Sequence, residues 1–117
     1  MANEQFPSRC HVRRGSDFRR AYQRRTRVAD GRMVIFGHPN GLPYPRLGIS
    51  ASRRLGGAVV RNRWKRLLRE AFRVTRTRLP EGIDLIVIPR PEAEPSLAAL
   101  RDALPRLAGW LAKKMVR

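Results

Sequence analysis

The chain has 117 residues, 42% of them hydrophobic and spread along its whole length, enough for one packed domain and too apolar for a disordered basic tail. Against 26 Lys and Arg stand only 9 Asp and Glu, a formal charge of +17, and such self-repulsion in a small domain calls for a polyanionic partner. The single cysteine, Cys10, excludes an internal disulfide framework, and no run approaches the ~20 apolar residues of a membrane span, so a cytoplasmic protein without a membrane partner is expected.

The first 15 residues, with Pro7, Gly15 and scattered charges, read as a flexible basic arm to a single domain over 1–117. Ser16 stands where an N-cap would, and Phe18, Ala21 and Tyr22 recur at helical spacing, predicting a helix over 17–25. A compact apolar run at 33–36 reads as a strand, followed by a loop over 38–45. Leu47, Ile49 and Ala51 alternate with Gly48, Ser50 and Ser52, the pattern of a second strand with one buried face. From Arg61, the residues Trp64, Leu67, Leu68, Ala71, Phe72 and Thr75 predict a long helix ending near Leu79. Ile83, Leu85, Ile86, Val87 and Ile88 form a third strand stopped by Pro89 and Pro91, and Ser96 caps a last leucine-rich helix that Pro105 should kink or restart. Helix, two strands, helix, strand and helix make an α+β sandwich.

The positive charge is concentrated. Residues 1–80 hold 20 basic and 4 acidic residues, residues 81–117 only 6 and 5, and 23 of the 26 cations are arginine. Arginine keeps its charge, forks to phosphate oxygens and stacks on bases, which favours nucleic acid as the partner. On the long helix Trp64, Leu67, Leu68, Ala71, Phe72 and Val74 fall on one arc, while Asn62, Lys65, Arg66, Arg69, Arg73 and Arg76 cluster on another. Like charges so stacked destabilise an isolated helix, and only Glu70 offers a carboxylate among them, so a phosphate backbone is the natural counter-charge. Arg53, Arg54, Gly56 and Gly57 feed this helix, setting cations beside its N-terminus where anions bind; no Lys followed by Ser or Thr makes the glycines a Walker loop.

The stretch Ala58-Val59-Val60-Arg61-Asn62-Arg63-Trp64-Lys65-Arg66-Leu67-Leu68-Arg69-Glu70-Ala71-Phe72-Arg73 resembles the Arg-Asn-Arg signature of the bacterial ribonuclease P protein family. The likeness extends to Asp17-Phe18 and Tyr22, to the segment 47–54, to 84–88 and to the closing leucine helix, covering about residues 13–111. It implies a two-layer α/β sandwich of the order α-β-β-β-α-β-α, ribosomal-protein-S5-domain-2-like, with a left-handed βαβ crossover. It also implies two RNA-binding surfaces. The catalytic RNA would meet Arg53, Arg54, Arg61, Asn62, Arg63, Lys65, Arg66, Arg69 and Arg73. The single-stranded 5′ leader of precursor tRNA would lie in a cleft at Phe18, Tyr22 and Phe36, with Ser50 and Ser52 beside it; aromatic rings on a basic protein suit unpaired bases. The chain departs from the family in carrying Arg53 and Arg54 where lysine is common, Trp64 in place of an aliphatic residue, and Pro105.

A protein-borne active site is not expected. His11 and His38 are far apart, no His, Cys or carboxylate cluster has metal-ligand spacing, and Glu92 and Glu94 sit in a proline-flanked loop. The resemblance places catalysis, and the Mg²⁺ it needs, on the RNA subunit, with precursor tRNA as substrate, no cofactor on the protein alone and no obligate protein partner. A structural RNA-binding protein of ribosomal type is the alternative: it shares the charge and the sandwich but has no need of an aromatic cleft.

Overall fold

The computed structural model describes residues 8–115. Helix α1 (Gly15–Arg24) is followed by strands β1 (Arg27–Ala29), β2 (Met33–Pro39) and β3 (Arg46–Ile49), helix α2 (Ala58–Thr75), strand β4 (Ile83–Pro89) and helix α3 (Leu97–Met115). This is the α-β-β-β-α-β-α order that the family resemblance implies. The four-stranded sheet runs β1-β2-β4-β3; β2 is antiparallel to both β1 and β4, and β3 is parallel to β4, so α2 is the crossover of a βαβ unit.

Alternation along the strands sorts the side chains onto two faces. Met33 and Ile35 of β2, Leu47 of β3 and Ile83, Leu85 and Val87 of β4 point to one side, where they meet Trp64, Leu68, Ala71 and Phe72 of α2 and the leucines of α3. This helical layer and the sheet are the sandwich, and the removal of these side chains from water is its main stabilisation. At Gly37 a β-carbon would lie 2.5 Å from Leu111 Cδ2, so glycine is what lets α3 lie directly on β2. The opposite face is only partly covered. There α1 packs Ala21, Phe18 and Tyr22 over Val12, Ile86 and Phe36, leaving the rest of the face open.

Several boundaries differ from the sequence reading. Helix α1 starts at Gly15 with Arg14 in the N-cap position, so Ser16 lies inside the first turn and Asp17, one residue on, meets the positive helix end. Strand β1 is the third strand that the family resemblance implies before α2; the residue pattern does not reveal it, since Val28 is its only buried residue. The long helix ends at Thr75 and passes into a single 3-10 turn at Arg76–Arg78. Val74, expected in the core, is 38% exposed, and Thr75 is buried in its stead, its hydroxyl donating to the Ala71 carbonyl at 2.6 Å. Of the kink or restart expected at Pro105, the restart does not occur: α3 is one helix, and the carbonyl that loses its intrahelical donor belongs to exposed Arg101. Ser96 does cap α3, accepting from the Ala99 N–H at 3.4 Å.

Of the arm expected over 1–15, residues 1–7 lie outside the described ones. Cys10 and Val12 are buried, and the Val12 N–H donates to the Leu47 carbonyl at 2.9 Å, so the segment covers the outer edge of β3.

Candidate RNA-binding surfaces

The first surface is the outer side of α2. Gly56, at φ 143°, makes the turn that only glycine adopts freely, and Gly57 caps α2 without a side-chain hydrogen bond, so the first-turn N–H groups keep their positive end open. Arg53, Arg54, Asn62, Arg63, Arg66 and Arg69 are exposed, while Arg61 and Lys65 are half-buried. No described carboxylate is within ion-pair distance of any of these cations. The Arg61 Nε is buried with no hydrogen-bond partner among the described residues, a costly state that an incoming acceptor relieves. Arg73 differs from the rest: both ends of its guanidinium fork donate to Glu70, and this bond lowers the Glu70 carboxyl below its ordinary value. Its charge is already answered within the protein. Val59, 83% exposed, puts an apolar side chain at the same helix end.

The second surface is a trough on the open face of the sheet. Tyr22 of α1 and Phe36 of β2 meet edge to face, with ring centroids 5.1 Å apart. They line a cavity of about 490 Å³ with Arg25, Arg27 and Ile88, and the Arg27 guanidinium lies 5.9 Å from the Phe36 ring centre. Ile88 also borders a second cavity of about 290 Å³, lined by Val34, Ser52, Arg54 and the 89–92 turn, so the two adjoin. The trough therefore has an apolar floor and arginines at both ends. Arg25, Arg27, Val34 and Ile88 were not anticipated; period-2 alternation on β2 and β4 would have placed the last two beside Phe36. Ser52 is exposed at the far end, and Ser50 follows β3, its N–H donating to the Val87 carbonyl at 2.9 Å.

Phe18 packs in the same cluster under α1 as Tyr22 and Phe36, held over Gly48, but lines neither of these two cavities. A β-carbon on Gly48 would lie 2.8 Å from Ile86 Cδ1 and 3.0 Å from Phe18 Cζ and Val12 Cβ. Gly48→Ala is expected to cost about 1–3 kcal/mol through this overpacking, read as a lowered urea midpoint at unchanged m-value. Below Phe18 a buried carboxylate ties α1 to the sheet. Asp84 accepts from Arg46 Nε at 2.7 Å, from the second guanidinium nitrogen at 2.6 Å and from Asn40 Nδ2 at 2.9 Å, while Arg46 also reaches Asp17 of α1 at 3.5 Å. The Asp84 bond raises the Arg46 guanidinium above its ordinary value against the opposing effect of burial.

The two surfaces approach each other around the β3 edge, where His11, Phe18, Lys65 and Arg69 help to line a cavity of about 130 Å³. Burial first, then the charges of Arg13 and Arg69, lower the His11 imidazole below its ordinary value. A phosphate between these groups would oppose that repulsion and favour the imidazolium.

Among the described residues no group of three or more His, Cys, Asp or Glu is placed to hold a metal ion, and no helix is long and apolar enough to cross a membrane. A basic α+β domain with a row of exposed arginines on one helix and an aromatic trough on the far face of its sheet defines an RNA-binding protein. The family model for ribonuclease P matches residues 6–111, and the chain belongs to that family as a ribonuclease P protein component. It is 36% identical over 97 residues to the ribonuclease P protein component of Caldanaerobacter subterraneus, covering 82% of this chain and 84% of that one. To the protein component of Thermotoga maritima it is 38% identical over 87 residues, 74% of each chain. The solved structure of the Staphylococcus aureus RNase P protein matches with a TM-score of 0.75 at 32% identity, over 86% of this chain and 94% of that one. That of the Thermotoga maritima protein matches with a TM-score of 0.77 at 31% identity, over 84% and 94%. The chain is thus a subunit of an endoribonuclease ribonucleoprotein that processes tRNA.

Proposed function

We propose that the α2 row binds the catalytic RNA and that the trough binds the single-stranded 5′ leader of precursor tRNA, so that one small domain holds enzyme and substrate RNAs together. The observation that carries this reading is the pairing, in one small domain, of a cation row without carboxylate partners among the described residues and an aromatic trough on the open face of the sheet. Exposed arginines without carboxylates suit a phosphate backbone, where released counterions supply much of the affinity. Rings half-buried on an apolar floor suit unstacked bases with little sequence preference. The protein's share of the reaction is then charge neutralisation and positioning of the substrate. No side chain of this chain is assigned to the cleavage step, and the Mg²⁺ of the hydrolysis belongs on the RNA subunit. The cytoplasm is the compartment in which these partners meet.

The test is cleavage by the cognate ribonuclease P RNA at low Mg²⁺, with and without the protein, on long-leader and leaderless precursor tRNA. Wild-type protein should stimulate cleavage and prefer the long leader. The Phe18→Ala/Tyr22→Ala variant should lose the leader-dependent part alone, roughly tenfold or more for two stacking rings. Protein that binds RNA tightly yet alters neither cleavage nor substrate affinity would speak for a purely structural RNA-binding role.

A further inference from the structure

Arg25 ends α1 in the left-handed region, at φ 62° and ψ 9°, its N–H donating to the Tyr22 carbonyl. The other described residues with φ in that region are Gly41, Gly56 and Gly82, so Arg25 is the one that carries a β-carbon there. Such a β-carbon crowds the following carbonyl, and glycine is the usual residue at this place after a helix. Glycine would give the same chain reversal into β1 without that strain. Only the side chain can account for arginine, and it does not serve the fold. The residue is exposed, and no hydrogen bond or ion pair joins its guanidinium to another described residue. Its place is the rim of the trough, beside Tyr22, Arg27 and Phe36.

We infer that Arg25 is a leader-gripping residue, whose guanidinium takes a backbone phosphate of the single strand while the adjacent base lies on Tyr22 and Phe36. Arg27 stands on the same rim and meets the neighbouring phosphate. The strained backbone is kept because it carries a cation at the point where the strand passes from α1 onto the sheet. The inference rests on the trough being the leader site.

The experiment compares wild type, Arg25→Gly and Arg25→Lys, as free proteins in thermal melts and as reconstituted holoenzymes binding long-leader and leaderless precursor tRNA over a salt series. Arg25→Gly should melt about 3–6 °C higher, because the strain is gone. Its long-leader affinity should fall about tenfold, with leaderless affinity unchanged. Losing one phosphate contact to a single strand should also flatten its log–log salt dependence by about 0.7. Arg25→Lys should keep the salt slope without gaining stability. An Arg25→Gly holoenzyme that retains full leader preference and slope overturns this inference alone. A wild-type holoenzyme indifferent to the leader overturns the trough reading and this inference with it.

Discussion

Asp84→Ala should leave the protein about 3–5 kcal/mol less stable, because it strands a largely buried guanidinium without its partner. A domain of this kind has only ~5–15 kcal/mol in all, so the loss takes a large share of its stability. Arg46 would lose both of its short bonds to Asp84 and keep only the longer reach of 3.5 Å to Asp17. Asn40 would lose its 2.9 Å acceptor as well. The double variant Asp84→Leu/Arg46→Met should recover much of the loss, since replacing both members of a buried pair removes the unpaired charge. Urea unfolding of Asp84→Leu, Arg46→Met and the double variant gives the coupling directly. If Asp84→Ala costs under 1 kcal/mol, the pair is no more than an exposed surface bridge. The network has a functional side too. Asp17 precedes Phe18, so any Arg46 variant that folds should show a loosened α1 and a weaker leader preference, with catalytic-RNA affinity held.

The sequence exposed the α2 surface better than the trough, for physical reasons. A helix of 18 residues repeats its pattern five times over, so core and cation arcs separate even when one position such as Val74 is misplaced. That misplacement is instructive: apolar character put Val74 on the core arc, whereas the helical spacing that includes Thr75 marks the residue that is buried, its hydroxyl finding the Ala71 carbonyl at little cost. The trough, by contrast, is assembled from single residues of α1, β1, β2 and β4. Strand β1 has three residues and one buried side chain, too short for any alternation to show. In β4 the apolar run concealed that Asp84 faces the α1 side with Ile86, a carboxylate whose partners stand 38 and 44 positions away in the chain. Backbone strain at Arg25 leaves no trace in residue type at all. The aromatic wall was visible only through resemblance, because Phe18 and Tyr22 at helical spacing look the same whether they are core or half-open cleft.

Truncating Arg63, Arg66 and Arg69 together to alanine should weaken binding to the catalytic RNA about 10³-fold, taking ~1.5 kcal/mol for each charge-assisted bond lost. The salt dependence of that affinity should flatten by about 2–3 on a log–log plot, one phosphate contact per residue. Free-protein stability should move the other way. The three side chains are exposed and without acidic partners among the described residues, they repel at i, i+3 spacing, and alanine favours the helix, so the melting temperature should rise slightly. Arg73→Ala serves as the internal contrast. Its fork is engaged with Glu70, so removing it frees a carboxylate on the binding face and should cost RNA affinity mainly through that new negative charge. The double variant Arg73→Ala/Glu70→Gln should then bind nearly as wild type. Opposite signs in binding and stability are what separate an interface from scaffolding on a single helix. If the triple variant instead binds RNA as tightly as wild type, the row is a solvated face and the catalytic RNA must grip the chain elsewhere, with the open end of α2 at Arg53, Arg54 and Arg61 the next place to look.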